Sequence, residues 1–533
     1  MQLFRTKSVE QTIAETGEEG RKLKRNLTWW DLSIMGVAVA VGAGIFSVGA
    51  QAAAFHAGPA VIISFLIAGI FSVGAQAAAF HAGPAVIISF LIAGIVCGAA
   101  VMCYAEFASM IPVAGSAYTF TYTTVGEIMA WIIGWDLILE MLMAGSVISK
   151  YWGVYLNDFM RLMGWNANTN LTFGSFHIDI APIIIVAFFT TLLVFGTKIG
   201  ARVDGAMTVL KIAIVFFVVI VGFFYVKASN FTPFIPPSQP ASTVEGSSAV
   251  TGVMTQPLWQ FATGMTPSVY GVPGILSGAA LVFFAFIGFD VVATASEETK
   301  NPHKNVPLGI GVGMLLIIVM YMLVAVVTTG MVSYADLAKQ DSPSLATAFE
   351  LVGADWAAKI ISFGIVLGLA TVVMVLLLGL TRIVFAMSRD GLLPRGLSKT
   401  GKHGTPAALQ IVVGAVVALV AAFFDIGVLS DMVNIGTLSA FTLVAISIPI
   451  MRKKRPDLPR AFKMPGSPWI PILIAVANFW LMLNLSVLTW IRFVVWLVVG
   501  FAIYFGYGYW HARLGKGDLT ETLSAETDKA VNG

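Results

Sequence analysis

Two short stretches place residues able to do chemistry inside an otherwise apolar chain. Gly42-Ala43-Gly44-Ile45-Phe46 lies within the first hydrophobic run, and Phe284-Ala285-Phe286-Ile287-Gly288-Phe289-Asp290 lies within a later one. Glycines, and a glycine beside an acid, inside a membrane helix predict a break, because unwound backbone is tolerated only where it lines a cavity. A broken helix offers free N–H groups at the start of its second half, where the dipole is positive. It offers free carbonyls at the end of its first half. The first break would thus hold an anion without any arginine, and the second would accept from a cation. Each motif alone has a plainer reading: small residues make packing surfaces, and a glycine gives a flexible kink. Two interrupted helices in one chain point instead to a transporter substrate site.

Such residues need a membrane around them, and the composition implies one. The 533 residues are 58% hydrophobic and 11% charged, with a mean hydropathy of +0.87. Soluble domains carry about 25% charged residues, so the expected class is an all-α polytopic membrane protein in a lipid bilayer. Apolar runs long enough to cross predict spans at 30–55, 84–108, 127–152, 178–197, 205–227, 274–296, 308–332, 357–386, 405–424, 428–451, 468–487 and 490–511. Residues 1–29 read as a cytoplasmic tail, 30–511 as the transmembrane domain and 512–533 as a second cytoplasmic tail.

Segment 228–273, rich in Pro, Ser, Thr and Gly and free of Lys and Arg, reads as an external loop. Basic residues gather instead at Lys198/Arg202, Lys300/Lys304, Arg389/Arg395/Lys399/Lys402, Arg452–Arg455 and Arg513/Lys516. With twelve spans these all fall on the side of the basic amino tail. The positive-inside rule then puts both termini in the cytoplasm of a multi-pass plasma-membrane protein. Cys97 and Cys103 lie about 9 Å apart along one helix axis, too far for a disulfide, and read as packing residues.

Residues 44–68 recur identically at 69–93. Two identical units are not a solenoid, whose repeats diverge and number at least three. The duplicated His56/His81 pair is therefore no metal signal. The copy adds an apolar segment at 60–80, of which only Ala60–Phe71 is strongly apolar. The whole of 60–80 is uncharged and long enough to cross, which favours a thirteenth span. A run of about 12 strongly apolar residues nevertheless suits a re-entrant or interfacial segment better, and a thirteenth span would put the basic loops from Lys198 onward outside. Gly42-Ala43-Gly44 keeps its upstream context, whereas the second copy reads Ile67-Ala68-Gly69, so the break is assigned to the first.

Several blocks along the chain resemble one family. They are W-D-L-S-I-M-G-V-A-V-A-V-G-A-G-I-F (30–46), Y-A-E-F-A-S-M-I-P-V-A-G-S-A-Y (104–118) and G-W-D-L-I-L-E (134–140). Further on come F-F-A-F-I-G-F-D with E-E-T-K-N-P (283–302), T-R-I-V-F-A-M-S-R-D-G-L-L-P (381–394) and R-P-D-L-P-R-A-F-K-M-P (455–465). The chain is identified as resembling bacterial members of the cationic amino acid transporter family, within the amino acid–polyamine–organocation superfamily. The resemblance covers nearly everything from Leu27 to about His511. It implies a LeuT-like fold of two inverted five-helix repeats (5+5) plus two helices, and secondary uptake of amino acids, commonly proton-coupled.

On that footing the substrate carboxylate would meet the backbone N–H groups of Gly42, Ala43, Gly44 and Ile45. The ammonium would meet carbonyls of Phe284, Ala285, Phe286 and Ile287, while Phe286 and Phe289 would wall a pocket suited to apolar side chains. The resemblance also implies a proton-coupling role for Lys211; a lysine snorkelling to the interface is the rival. Asp136 and Glu140, four apart on one helix face, and Asp290 are further candidates as intramembrane acids, with structural pairing the alternative. Glu106, near a span's inner end, reads as structural. Arg382, Arg389 and Asp390 read as an electrostatic latch at the inner end of the eighth span, with a solvated helix end the alternative.

No metal-spaced cluster supports a membrane enzyme, no phosphate-binding loop supports ATP-driven transport, and no basic stripe supports nucleic-acid binding. The expected partners are amino acids, protons and lipid, with no cofactor, no metal and no legible protein partner. An exchanger or a transporter-like nutrient receptor without concentrative transport is the alternative function.

Overall fold

The computed structural model describes residues 4–8, 28–29, 32–33, 83–110, 117–162, 170–173, 176–195, 213–240, 254, 256–265, 268–272, 275, 279, 299–333, 336, 348–349, 351–401, 405–424, 426–458, 460 and 462–516. Its helices are α1 (Val86–Met110), α2 (Ala117–Thr124), α3 (Glu127–Leu162), α4 (Ile180–Val194), α5 (Ala213–Phe223), α6 (Leu258–Thr263), α7 (Pro302–Met331), α8 (Asp355–Arg389), α9 (Ala407–Phe423), α10 (Ile426–Lys454), α11 (Trp469–Leu483) and α12 (Val487–Ile503). Among the described residues six helices are long and apolar enough to cross a membrane, and four shorter apolar ones accompany them. The protein is therefore a helical, multi-pass membrane protein. The predicted spans 30–55 and 274–296 lie almost wholly outside the described residues.

Length and apolarity fix these elements. In hydrocarbon every backbone group must be satisfied within the helix, so an unbroken apolar run becomes one. The spans predicted at 84–108, 357–386, 405–424 and 428–451 match α1, α8, α9 and α10 to within a few residues. Two edges differ. Helix α3 runs on to Leu162. Helix α7 starts at Pro302, in the favoured first-turn position for proline, so His303 and Lys304 lie in a helix rather than the expected loop. His303 Nδ1 sits 2.6 Å from the Ser109 carbonyl at the end of α1.

The segment read as one external loop also carries structure: the helix α6 and a two-residue strand pair, β3 (Gln239–Pro240) with β4 (Ser268–Val269). Between α3 and α4 a short antiparallel hairpin forms, β1 (Asn170–Phe173) with β2 (Phe176–Asp179).

Helix α3 is the hub. It packs against α8, α10 and α2, while α1 packs on α7, α9 on α4, and α11 on α10. Burial follows that order: the most apolar windows of α3 and α8 are 72% and 75% buried, against 22% for α12 at the periphery. Cys97 and Cys103 are buried and not in a disulfide, as packing residues should be.

Helices α1 and α7 run antiparallel. Ser109 meets His303 at one end, and Phe90 meets Tyr321, with centroids 5.9 Å apart, towards the other. Ser33 donates to the Gly309 carbonyl at 3.1 Å, near the start of α7. Ser33 and Gly83 therefore lie at opposite ends of α7. The described ends of the chain, by contrast, meet: Lys7 bonds Asp390, and Arg513 N–H donates to the Asp390 carbonyl at 3.1 Å.

Candidate functional site

Gly42, Ala43, Gly44, Ile45, Phe284, Ala285, Phe286, Ile287, Phe289, Asp290 and Lys211 lie outside the described residues. The described candidates are Asp136 and Glu140, one turn apart on α3 and essentially inaccessible. Their face of α3 meets α10 at Gly436 and Ser439. Ser439 donates its hydroxyl to Asp136 Oδ2 and also bonds the Gly436 carbonyl at 2.9 Å. A methyl group added at Gly436 would lie 3.1 Å from Asp136 Oδ1 and 3.3 Å from Glu140 Cβ. Glycine at this position lets the two helices close tightly over these acids.

A second polar group of residues occupies the end of the bundle where the amino-terminal segment docks. Arg5 and Lys7 are two apart in extended chain, so both side chains leave from the same side. Arg5 Nε and Nη2 each donate at 2.9 Å to the carboxylate of Glu127, the first residue of α3. Lys7 Nζ lies 2.5 Å from Asp390 Oδ1, just past the end of α8. Backbone bonds hold the segment in register: Glu127 N–H to the Arg5 carbonyl at 3.0 Å and Lys7 N–H to the Tyr122 carbonyl at 3.3 Å.

Tyr118 and Tyr122, four apart on α2, complete both pairs. Tyr118 donates to Asp390 Oδ2 at 2.6 Å and Tyr122 to Glu127 Oε2 at 2.8 Å. Burial and the nearby carboxylates hold both phenols well above their ordinary value, so they remain donors. Tyr504, beyond α12, donates at 2.8 Å to Glu127 Oε1, which also accepts from Arg5 Nη2. Burial alone would raise the Asp390 carboxyl; Lys7, the Tyr118 hydroxyl and the Arg389 charge hold it below the usual carboxylate range.

Gly391 supports this end. Its φ of +81° ends α8 in the left-handed region, and its missing Cβ leaves room for the His511 carbonyl, which would otherwise stand 2.5 Å away.

The latch expected from Arg382, Arg389 and Asp390 gains a partner the sequence did not name: Asp390 pairs with Lys7, 383 residues away, while the Arg389 charge also acts on it. Glu106 is structural as expected. It accepts from Arg452 at 2.9 and 2.6 Å and from the Met464 N–H at 2.7 Å. Lys150 donates to the Phe424 carbonyl past α9 at 2.9 Å. The roles of Arg5, Lys7, Glu127, Tyr118 and Tyr122 were not read from the sequence. The usable signals were the i,i+2 spacing of the cations and the i,i+4 spacing of the tyrosines.

Residues 66–507 match the amino acid permease family. A branched-chain amino acid permease, BcaP, of Bacillus subtilis (strain 168) is 40% identical over 522 residues, covering 96% of this chain and 99% of its own. A methylthioribose transporter of the same organism is 37% identical, covering 96% of this chain and 99% of its own. The vacuolar cationic amino acid transporter 2 of Arabidopsis thaliana is 34% identical, covering 85% of this chain and 64% of its own. A helical multi-pass bundle, matched over most of its length and at this identity, is a transporter rather than an enzyme, and the chain belongs to the amino acid permease family.

Proposed function

We propose that this protein is a secondary transporter that takes up neutral amino acids with branched apolar side chains, driven by protons. The observation that carries the reading is the 40% identity to a branched-chain amino acid permease over nearly the full length of both chains. The sequence supports it independently. Backbone N–H groups at Gly42–Ile45 would bind the carboxylate, and carbonyls at Phe284–Ile287 the ammonium. Phe286 and Phe289 would give an apolar wall. Lys211 would carry the proton-linked charge that the family resemblance implies.

The architecture in this reading has twelve spans, ten of them in two inverted repeats, between two cytoplasmic tails in the plasma membrane. Two relationships support it. Arg5 and Arg513 both reach the Asp390 end of the bundle, which favours termini on one side. Ser33 and Gly83 lie at opposite ends of α7, which favours an odd number of crossings between them. In this reading the tandem copy adds no single extra crossing.

A second reading, transport of methylthioribose, is motivated by the 37% identity to that transporter. A neutral sugar thioether has neither carboxylate nor ammonium for the two broken helices. Proteoliposomes loaded against an inward proton gradient separate the two readings. Labelled leucine, isoleucine and valine should accumulate, and arginine and methylthioribose should not. Uptake of methylthioribose alone would replace the amino acid reading. Leucine exchange without accumulation would make the protein an exchanger.

A further inference from the structure

Among the described residues, Asp136, an acid inside a membrane helix, has too few donors for its charge. It lies nine residues after Glu127, about 13 Å along α3 from the end where the amino-terminal segment docks. An ionised carboxylate is acceptor-only and offers about four lone-pair sites. Among the described residues, Asp136 Oδ2 receives the Ser439 hydroxyl, and Asp136 Oδ1 is buried without a hydrogen-bond partner. The contrast with Glu127 and Glu106, each satisfied by an arginine and further donors, is plain. A buried carboxylate left with a single neutral donor is far costlier as an anion than as an acid.

The titratable and charged groups around it come from the described elements packed on α3. On α3 the neighbouring acid is Glu140, one turn away. Helix α10 brings Gly436 and Ser439 against Asp136. Helix α8 brings the buried Arg382 and Arg389, and α2 brings Tyr118, which bonds Asp390 instead. Helix α12 brings Trp496, which does not titrate. No cation among the described residues bonds Asp136 itself.

We propose that Asp136 is a proton-binding residue whose loading sets the packing of α3 against α10 during transport. Protonated, it needs only the Ser439 contact and lets the helices close over Gly436. When the proton leaves to water, the anion needs further donors, and the α3–α10 seam must loosen to admit them. The proton comes from water and returns to water, so no other reactant enters. This rests on the proton-driven reading above, and it adds a site in α3 to the lysine discussed there.

Two measurements test it, one of which needs no substrate. In pH-difference infrared spectra of the purified protein in liposomes, the wild type should show a protonated-carboxyl band that titrates, and Asp136→Asn should lack it. In proteoliposomes with equal pH on both sides, leucine exchange by the wild type should change about tenfold per pH unit along one limb. In Asp136→Asn it should be flat. Should that variant fail to insert, Ser439→Ala decides: loss of the donor should displace the midpoint to higher pH by about one unit.

A wild-type band that survives Asp136→Asn overturns the proposal, as does an unmoved midpoint in Ser439→Ala. A titrating Asp136 band without leucine exchange keeps the proton site and removes the amino acid reading. Leucine exchange with no titrating band does the opposite.

Discussion

Lys7 and Asp390 form a buried ion pair, 2.5 Å between Nζ and Oδ1, that ties the amino-terminal segment to the end of α8. Arg5 and Glu127 make the matching pair at the start of α3. The two helices that form the centre of the bundle are thus bridged at one end by two residues of the tail, Arg5 and Lys7. Tyr504 and Arg513 close the same place from the carboxyl side.

Breaking one side of such a pair leaves a buried charge uncompensated, at a cost of about 3–5 kcal/mol. Lys7→Ala should therefore lower the thermal midpoint of the purified protein well beyond the effect of a surface Lys→Ala. The pH dependence has a definite sign. The folded-state Asp390 carboxyl is held below its ordinary value, so its contribution is complete above the ordinary carboxylate range of about 3.9. It is lost as pH falls through the depressed value. The midpoint gap between wild type and Asp390→Asn should be constant near neutrality and close in acid. A gap that widens in acid would contradict the pairing.

The periphery offers a steric test. Trp135 on α3 stacks on Trp496 of α12 with ring centroids 4.5 Å apart. Each indole N–H bonds the other residue's carbonyl, at 2.9 and 3.1 Å. A Cβ at Gly500 would stand 2.4 Å from Trp135 Cδ1. Gly500→Val should force the rings apart at about 1–3 kcal/mol and alter the near-ultraviolet circular dichroism of the tryptophans. An unchanged spectrum and midpoint would mean that α12 stands off from α3.

What the sequence made legible follows from range. Apolar runs are local, so α1, α8, α9 and α10 could be placed to within a few residues. The shared face of Asp136 and Glu140 is also local, being set by helix period. Partners across the chain are not. Nothing near Lys150 names the Phe424 carbonyl, and nothing near Asp390 names Lys7, because those contacts arise only when distant helices pack. The β1–β2 hairpin was missed because four-residue strands give too little alternation to read.

Lys211 gives a functional test. If Lys211 carries the proton-linked charge, Lys211→Ala should lose accumulation driven by a pH gradient while keeping leucine exchange. Proteoliposome uptake with and without the gradient measures both. Undiminished gradient-driven uptake would mark Lys211 as a lysine reaching to the interface.

The tandem copy gives the sharpest test of the carboxylate site. Deleting 44–68 or 69–93 yields the same chain, so deletion cannot say which copy binds substrate; substitution can. Gly44 follows the uninterrupted block from Trp30, and Ser33 of that block is anchored to the Gly309 carbonyl at 3.1 Å. Gly69 occupies the equivalent place in the second copy, which lies wholly inside the family match of residues 66–507. A β-branched side chain at the working glycine would stop the ligand reaching the backbone N–H groups. Gly44→Val should therefore abolish leucine uptake or raise its KM at least about tenfold, a loss of about 1.4 kcal/mol or more. Membrane insertion should be normal. Gly69→Val should leave uptake unchanged. The reverse pattern would move the carboxylate site to Gly69 and make the second copy the working one.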